Sequence, residues 1–195
     1  MREIGRLVLV LGLICALSAS ALSYVRTSLA PRIEMQSDFY VRGPALERLF
    51  EQPADELLAN KVKLELGEQT YPVFFTQEEG ELTGLAVEAP GHGGYAGDIV
   101  IMVGLDPRRG TVLGVEIVAH SETPGVGANV EKDSFRSQWQ GLDISTHAEL
   151  KSAGGQVDAI TGATYSSRAM IDGTNQVVDL IRDHMTDIQA LIASR

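Results

Sequence analysis

Two threonine hydroxyls, Thr161 and Thr164, stand at the ends of the sequence Thr-Gly-Ala-Thr, and the carboxylate of Asp158 lies three residues before the first of them. Apolar residues then recur at steps of three and four, which predicts an amphipathic helix from Ser166 to about Ile192. The two threonines therefore lie in a loop that enters a helix. Free backbone N–H groups and the helix dipole favour an anion such as phosphate at that position.

The residue types at this helix entrance leave two interpretations open. Gly162 lets an anion approach the backbone closely, and a nearby hydroxyl could donate a hydrogen bond to a phosphate or be esterified by it. The other interpretation is an ordinary helix N-cap, because Thr and Ser are common there. Ser166 and Ser167, at the predicted start of the helix, carry the same two alternatives.

A second group of polar residues follows the last predicted strand, Thr111–Ala119. His120, Glu122 and Thr123 belong to the sequence His-Ser-Glu-Thr-Pro-Gly-Val-Gly. If the strand continues, His120 and Glu122 point to the same side, as an acid/base or metal pair would require. We expect no metal site, because no third ligand is close in the sequence, and the proline and glycines indicate a loop.

The elements that must position these residues follow from periodicity and turn chemistry. Alternating apolar and charged residues at 61–66 predict a strand. Further predicted strands are Tyr71–Thr76, Thr83–Glu88, Asp98–Leu105 and Thr111–Ala119, and the last two are joined by a predicted hairpin turn at 106–110. An amphipathic helix is predicted from Pro44 to Pro53, and a weak helical signal extends over 131–140. A strand-rich middle and a long terminal helix predict an α+β fold, with a mainly antiparallel sheet and flanking helices.

An uncharged apolar run extends from Leu7 to Val25, long enough to span a bilayer core of about 30 Å. Arg2 and Arg6 before it favour a cytoplasmic N-terminus. A cleaved signal peptide is the alternative, because the sequence Ala-Ser-Ala at 19–21 is typical of a cleavage site. We expect a cytoplasmic segment at 1–6, a retained transmembrane helix at 7–25, a juxtamembrane linker (27–38) and helix within 26–60, and an extracytoplasmic domain at 61–195.

The composition excludes several classes of function. A net charge of −10 and a pI near 4.8 argue against nucleic acid as a partner, because neutralising phosphates requires a basic surface. The single cysteine, Cys15, lies in the apolar run, so neither an intramolecular disulfide nor a thiolate metal cluster is expected. The four histidines are scattered without the spacing of metal ligands.

The sequence Asp158-x-x-Thr161-Gly162-Ala163-Thr164 resembles the flavinylation motif of FMN-binding domains at all five defining positions. These domains occur in the G subunit of Rnf electron-transport complexes and in the C subunit of sodium-pumping NADH:quinone reductase. In that family a separate flavin transferase joins FMN, through its phosphate, to the hydroxyl of the last threonine. The resemblance implies covalent FMN on Thr164, with Asp158, Thr161, Gly162 and Ala163 as recognition or positioning residues.

The loop after the last strand also resembles a loop near the flavin in those proteins, with Val126 in place of a leucine. This resemblance implies that His120, Glu122 and Thr123 neighbour the isoalloxazine ring, where His120 and Glu122 would tune its redox states. It likewise favours phosphate contact by Ser166 or Ser167 over simple capping.

Three further aromatic residues have both a structural and a flavin-binding interpretation. The Gly-Tyr sequence at 94–95 resembles a turn of the family, but the residue type favours a core or sheet-edge position for Tyr95. Phe135 and Trp139 are four residues apart and would share one helix face. We expect them to pack in the core rather than stack on a flavin.

The resemblance implies a flavoprotein electron-transfer subunit of an Rnf-type complex that couples electron transport to ion translocation. It would be a single-pass protein of the inner (cytoplasmic) membrane with its domain on the periplasmic side. The implied partners are the other membrane and peripheral subunits, a flavin transferase during maturation, and membrane lipid. The C subunit of the sodium-translocating reductase and a membrane-anchored flavin-binding signalling module are the alternatives; the short interval between the apolar run and the domain favours the Rnf form. No catalytic side chain is expected, because the redox chemistry belongs to the flavin.

Overall fold

The computed structural model describes residues 2–67 and 69–195. The chain divides into two compact units, Met1–Tyr40 and Val41–Arg195. The second unit therefore begins well before residue 61, where the domain was expected to start. The reason is that the residues just after Val41 form helices that supply part of the core of this unit.

The N-terminal unit is helical. Helix α1 (Arg2–Ser37) continues into a π-helical segment, Asp38–Arg42, so the stretch 27–38 is helical rather than the expected linker. Pro31 lies inside α1, where it removes one backbone N–H donor from the helix. The apolar side chains of α1 are exposed, and its length and composition are sufficient to cross a membrane. A signal sequence near an N-terminus has the same properties.

The second unit is built on one antiparallel sheet in which each strand pairs with the next in the chain. The strands are β1 (Lys61–Leu66), β2 (Gln69–Glu78), β3 (Glu81–Gly91), β4 (Ile99–Asp106) and β5 (Thr111–Ala119). The predicted α+β fold with an antiparallel sheet is confirmed. The hairpin between β4 and β5 is confirmed as well: Asp106 Oδ1 accepts the backbone N–H groups of Arg108 (2.9 Å) and Arg109 (3.0 Å).

Both faces of the sheet are covered, because alternate residues along each strand are buried on opposite sides. Helices α2 (Gly43–Phe50) and α3 (Ala54–Ala59) cover one face, where Leu46 and Leu57 pack against Phe74 and Met102. The opposite face belongs to the larger core, which includes the neighbouring strand residues and the long helix α5 (Thr164–Ala193). The predicted terminal helix and the amphipathic helix at Pro44 are therefore confirmed.

The region predicted as weakly helical, 131–140, is a series of short turns. A 3-10 turn at Gly127–Glu131 leads into α4 (Asp133–Arg136) and a second 3-10 turn at Ser137–Trp139. Phe135 and Trp139 are buried and meet edge to face, with ring centroids 5.0 Å apart. Their predicted core role is confirmed.

Helix α5 lies unusually close to the end of β3. A Cβ atom on Gly91 would stand 1.9 Å from the carbonyl oxygen of Ala169, and one on Gly173 would stand 3.1 Å from the Gly91 Cα. The contact is reinforced by Asp172, whose carboxylate accepts the backbone N–H of His92 at 2.8 Å. This close approach fixes the first half of α5 beside the loop that follows β3.

Candidate functional site

The motif Thr161–Thr164 forms the entrance to α5. Gly162 has a left-handed φ of +80°, with open space where a Cβ would stand, and Ala163 is the residue before the helix. Thr164 is the first helical residue, and within the described ranges no side chain caps this helix start. The ordinary N-cap interpretation therefore does not hold for the two exposed threonines. The first backbone N–H groups of α5 remain open to an anion.

Ser167 holds this entrance in shape. Its buried hydroxyl donates to the carbonyl oxygen of Ala163 (3.0 Å) and accepts the backbone N–H of Ile160 (2.9 Å). The Ser167 hydroxyl proton is thereby committed to the backbone of the motif, which removes it as a donor to a phosphate. The role left for Ser167 is to set the path of the chain just before Thr164.

Asp158 lies on the surface beside the entrance. Its carboxylate pairs with Lys151 at 2.5 Å, and 63% of the side chain is exposed. Its backbone N–H donates to Gln138 Oε1 at 2.7 Å, which ties the start of the motif to the segment that carries Trp139. Asp158 is thus accessible to another protein.

Glu122 is a buried carboxylate that joins three separate segments. Its Oε2 accepts the hydroxyl of Ser166 at 2.9 Å, and its Oε1 accepts the backbone N–H of Ala96 at 3.2 Å. A Cβ on Gly127 would stand 2.0 Å from Oε2, so the loop can pass here only with a glycine. Glu122 therefore links the first turn of α5 to the 94–97 turn and to its own loop.

His120 does not share a site with the Glu122 carboxylate. Its Nδ1 accepts the backbone N–H of Glu122 (3.0 Å), so the proton of the neutral ring is on Nε2, which donates to Glu131 Oε1 (2.9 Å). The two side chains were expected on the same side only if the strand continued, and β5 ends at Ala119.

A cavity of about 350 Å³ lies between the 94–97 turn, the 122–127 loop and the entrance to α5, within the usual size range of small-molecule sites. It is lined by Tyr95, Glu122, Thr123, Val126, Gly127, Gly162, Ala163, Tyr165 and Ser166. The structure thus brings five predicted site residues together: Glu122, Thr123, Gly162, Ala163 and Ser166. The other predicted site residues do not line the cavity: Thr161, Thr164 and Ser167 are next to lining residues in the chain, and Asp158 and His120 are not.

Sequence reasoning missed three lining residues or misplaced them. Tyr95, Val126 and Tyr165 are 76%, 44% and 63% exposed, so Tyr95 is not the core or edge aromatic that we expected. The sequence did contain a sign that Tyr95 is exposed. It lies among the glycines of 93–97, where no helix or strand is expected that could bury its ring. Tyr165 directly follows Thr164, on the turn of helix that faces the cavity.

A second cavity of about 260 Å³ lies between α5 and the 141–148 segment, away from the motif. His147 on its wall hydrogen-bonds to Asp179 at 2.8 Å, and this bond lowers the pKa of the Asp179 carboxyl. The backbone N–H of Ser145 likewise lowers the pKa of Asp143. Among the described residues, no group of three His, Cys, Asp or Glu side chains is arranged to hold a metal ion.

The described geometry suits a ligand with an anionic group and a flat, partly apolar body. The open N–H groups of α5 would receive the anion, and the cavity beside them would receive the apolar part. Residues 94–179, which contain every wall of the larger cavity, match the FMN-binding domain family.

Two relatives with similar sequences are G subunits of the same kind of complex. The G subunit of the ion-translocating oxidoreductase complex from Vibrio cholerae serotype O1 (strain M66-2) is 32% identical over 126 residues, which cover 62% of this chain and 60% of that protein. The G subunit from Methanosarcina acetivorans is 29% identical over 185 residues, covering 92% of this chain and 95% of that protein. The similarity to the Vibrio relative therefore spans about 60% of its length.

Solved structures share the fold. The crystal structure of NqrC from Shewanella oneidensis superposes with a TM-score of 0.51 at 21% identity, over 68% of this chain and 70% of that one. The C subunit of the Na⁺-translocating NADH-quinone reductase from Parabacteroides distasonis gives a TM-score of 0.54 at 22% identity, over 68% and 82%. Taken together, these findings show that residues 94–179 match the FMN-binding domain family and that the chain is similar in sequence to G subunits of ion-translocating oxidoreductase complexes.

Proposed function

We propose that this chain is the membrane-anchored electron-transfer subunit of an Rnf-type ion-translocating oxidoreductase complex, with FMN joined to Thr164 by a phosphoester bond. The observation that carries the proposal is the arrangement around Thr164. It is exposed, it is the first residue of an uncapped helix, and it adjoins a cavity of about 350 Å³. A threonine hydroxyl in that place can carry the phosphate while the flavin ring enters the cavity.

The phosphate would be held mainly by backbone groups. Ser167 donates to the backbone and Ser166 donates to Glu122, so neither hydroxyl proton is free for a phosphate oxygen. The N–H groups at the start of α5 and the open space at Gly162 supply the anion site instead. The covalent bond would keep the cofactor on the protein outside the cytoplasm, where a lost flavin could not be replaced.

Exposure of the motif supports attachment by a separate flavin transferase. Asp158 and Thr161 are on the surface, where an enzyme could recognise them, and Thr164 is exposed as an acceptor must be. When bound, FMN would supply one- and two-electron redox chemistry. The chain would tether the flavin, orient it, and set its electrostatic surroundings through Glu122 and Thr123.

The apolar helix α1 supports membrane anchoring. Its exposed side chains would contact lipid, and Arg2 and Arg6 before it favour a domain on the periplasmic side. The partners would be the other subunits of the complex. A reporter that is active only outside the cytoplasm, fused after Arg195, should be active while the protein stays in membranes; a soluble product beginning near Leu22 would show a cleaved signal instead.

The decisive experiment compares Thr164→Val with Thr161→Val after co-expression with a flavin transferase. Valine keeps the shape and branching of threonine but has no oxygen to esterify, so both variants should fold. Flavin fluorescence on a denaturing gel, and the added mass of FMN in the intact protein, should be absent from Thr164→Val and retained, at reduced level, in Thr161→Val. Denaturation-resistant flavin in Thr164→Val would contradict the assignment of the acceptor.

A further inference from the structure

The exposed apolar side chains of the unit Val41–Arg195 are unevenly distributed. Among its described residues, the large hydrophobic side chains classed as exposed are Tyr95, Val126 and Tyr165, and all three line the same cavity. Single exposed apolar residues are common on protein surfaces and need no explanation. Here three exposed apolar side chains converge on one cavity, and the other large apolar side chains described in this unit are at least partly buried. This arrangement indicates a binding surface.

The backbone presents both tyrosines rigidly. Tyr95 lies on a tight turn, where a Cβ on Gly94 would be 2.3 Å from the carbonyl oxygen of Gly97. The next residue, Ala96, donates its N–H to the buried Glu122 carboxylate. A turn held in this way cannot fold Tyr95 back into the core, so its ring remains on the cavity wall.

Tyr165 is held from the other direction. It lies in the first turn of α5, and the two residues after it, Ser166 and Ser167, are both fully buried and hydrogen-bonded. The ring therefore projects from a fixed helix turn next to Thr164. Rings that are already positioned lose little conformational freedom when a ligand binds between them.

We propose that Tyr95 and Tyr165 are the aromatic walls that hold the isoalloxazine ring of the flavin, with Val126 completing the apolar contact. This assignment rests on the proposed function and deepens it, because it assigns attachment of the flavin and positioning of its ring to different residues. Thr164 determines that the flavin stays on the protein, and the tyrosines determine where its ring lies. A flat aromatic ring gains from stacked or edge-to-face contact with tyrosine beyond simple burial. The tether confines the ring near these walls, so a modest attraction is enough to immobilise it.

The test uses the full chain in detergent, flavinylated during co-expression with the transferase. It measures the solvent exposure and mobility of the flavin ring rather than electron transfer. Variants Tyr95→Ala, Tyr165→Ala and the double variant are compared with Tyr95→Phe and Tyr165→Phe, which keep the aromatic ring. Tyr40→Ala is the control, because Tyr40 is a comparably exposed tyrosine (71%) outside the cavity. For each protein, the quenching of attached flavin by acrylamide and the anisotropy of flavin fluorescence are measured per attached flavin.

We expect acrylamide quenching to rise about three- to tenfold in the double alanine variant, with a fall in anisotropy, as the ring leaves its walls. The phenylalanine variants and Tyr40→Ala should match the parent protein. Unchanged quenching and anisotropy in the double alanine variant would overturn the assignment, as would phenylalanine variants that behave like the alanine ones. A parent protein that carries no covalent FMN by mass would instead refute the proposed function, so the two failures are distinguishable.

Discussion

Two buried carboxylates near the end of β5 have opposite surroundings. Glu116, 7% exposed, forms ion pairs with Arg48 of α2 at 2.7 Å and with Arg136 of α4. It therefore clamps together two elements through opposite charges. Partners of this kind satisfy a buried carboxylate fully and leave it little capacity for other chemistry.

Glu122, 5% exposed, accepts hydrogen bonds from a hydroxyl and a backbone N–H, both neutral donors. No basic side chain is paired with it among the described residues, and it stands on the wall of the larger cavity. The comparison teaches that burial alone does not distinguish a structural carboxylate from one at a site. The charge of the partners does, because an uncompensated negative charge acts on whatever occupies the cavity.

The largest stability effect should follow Glu116→Ala. The substitution removes the buried partner of Arg136, whose side chain is 14% exposed and which keeps only the exposed carboxylate of Asp133. We therefore expect a loss of about 3 kcal/mol in the free energy of unfolding. Arg48 contributes less, because 54% of its side chain is exposed. Urea unfolding followed by the fluorescence of Trp139, the single and buried tryptophan, measures the loss.

Glu122→Ala should reduce the free energy of unfolding by less, about 1–2 kcal/mol, because it removes an acceptor from neutral donors. A larger loss for Glu122→Ala than for Glu116→Ala would contradict the comparison.

Gly127→Ala should have an intermediate effect on stability, and it should also distort the wall of the cavity. The new Cβ would stand 2.0 Å from Glu122 Oε2, so the carboxylate or the loop must move, at a cost of about 1–3 kcal/mol. We expect reduced flavin attachment along with the lower stability. Gly114→Ala, next to the Glu116 clamp, is the matched control, because its Cβ meets only the flexible end of Leu49 at 3.2 Å. Equal flavin attachment in both variants would show that the loop is not part of the site.

Glu122→Gln isolates the charge of this carboxylate from its shape. The amide keeps an oxygen and similar volume, so we expect a stability change below about 1 kcal/mol and normal flavin attachment. If Glu122 lies beside the flavin ring, removal of its negative charge should favour the reduced, more anionic flavin and raise its midpoint potential by on the order of tens of millivolts. Spectroelectrochemical titration measures the shift, and Glu116→Gln is the distant-charge control. An identical titration curve would place Glu122 away from the ring.

The smallest effect concerns an exposed carboxylate, Asp179, whose pKa is lowered by its hydrogen bond to His147. A carboxyl with a lowered pKa in the folded state stabilises the protein above its unfolded pKa of about 3.9, and the stabilisation disappears as pH falls through the folded value. Asp179→Asn should therefore cost less than about 1 kcal/mol at pH 6, because the pair is partly exposed, and nothing below the folded pKa. Urea unfolding at both pH values tests this, and a difference that persists in acid would refute it.

The regular elements were accessible to sequence reasoning because their signals are local. Alternation in 61–66, the turn chemistry of Asp106 and the three- and four-residue repeat after Thr164 depend on neighbours in the chain. The segment 131–140 was harder to predict. Phe135 and Trp139 fit a helix face by spacing, but their burial against the core is satisfied by short turns.

By itself, the sequence determined the strands, the terminal helix, the apolar N-terminal run and the position of Thr164 at a helix entrance. Only the tertiary structure decided that Glu122 accepts a hydrogen bond from Ser166, 44 residues away, and that His120 hydrogen-bonds to Glu131. It also decided that the Ser167 hydroxyl donates to a backbone carbonyl. It also decided that Tyr95 remains exposed. The physical reason is that backbone periodicity is encoded by adjacent residues, whereas the partners and burial of a loop side chain depend on elements that folding brings from distant parts of the chain.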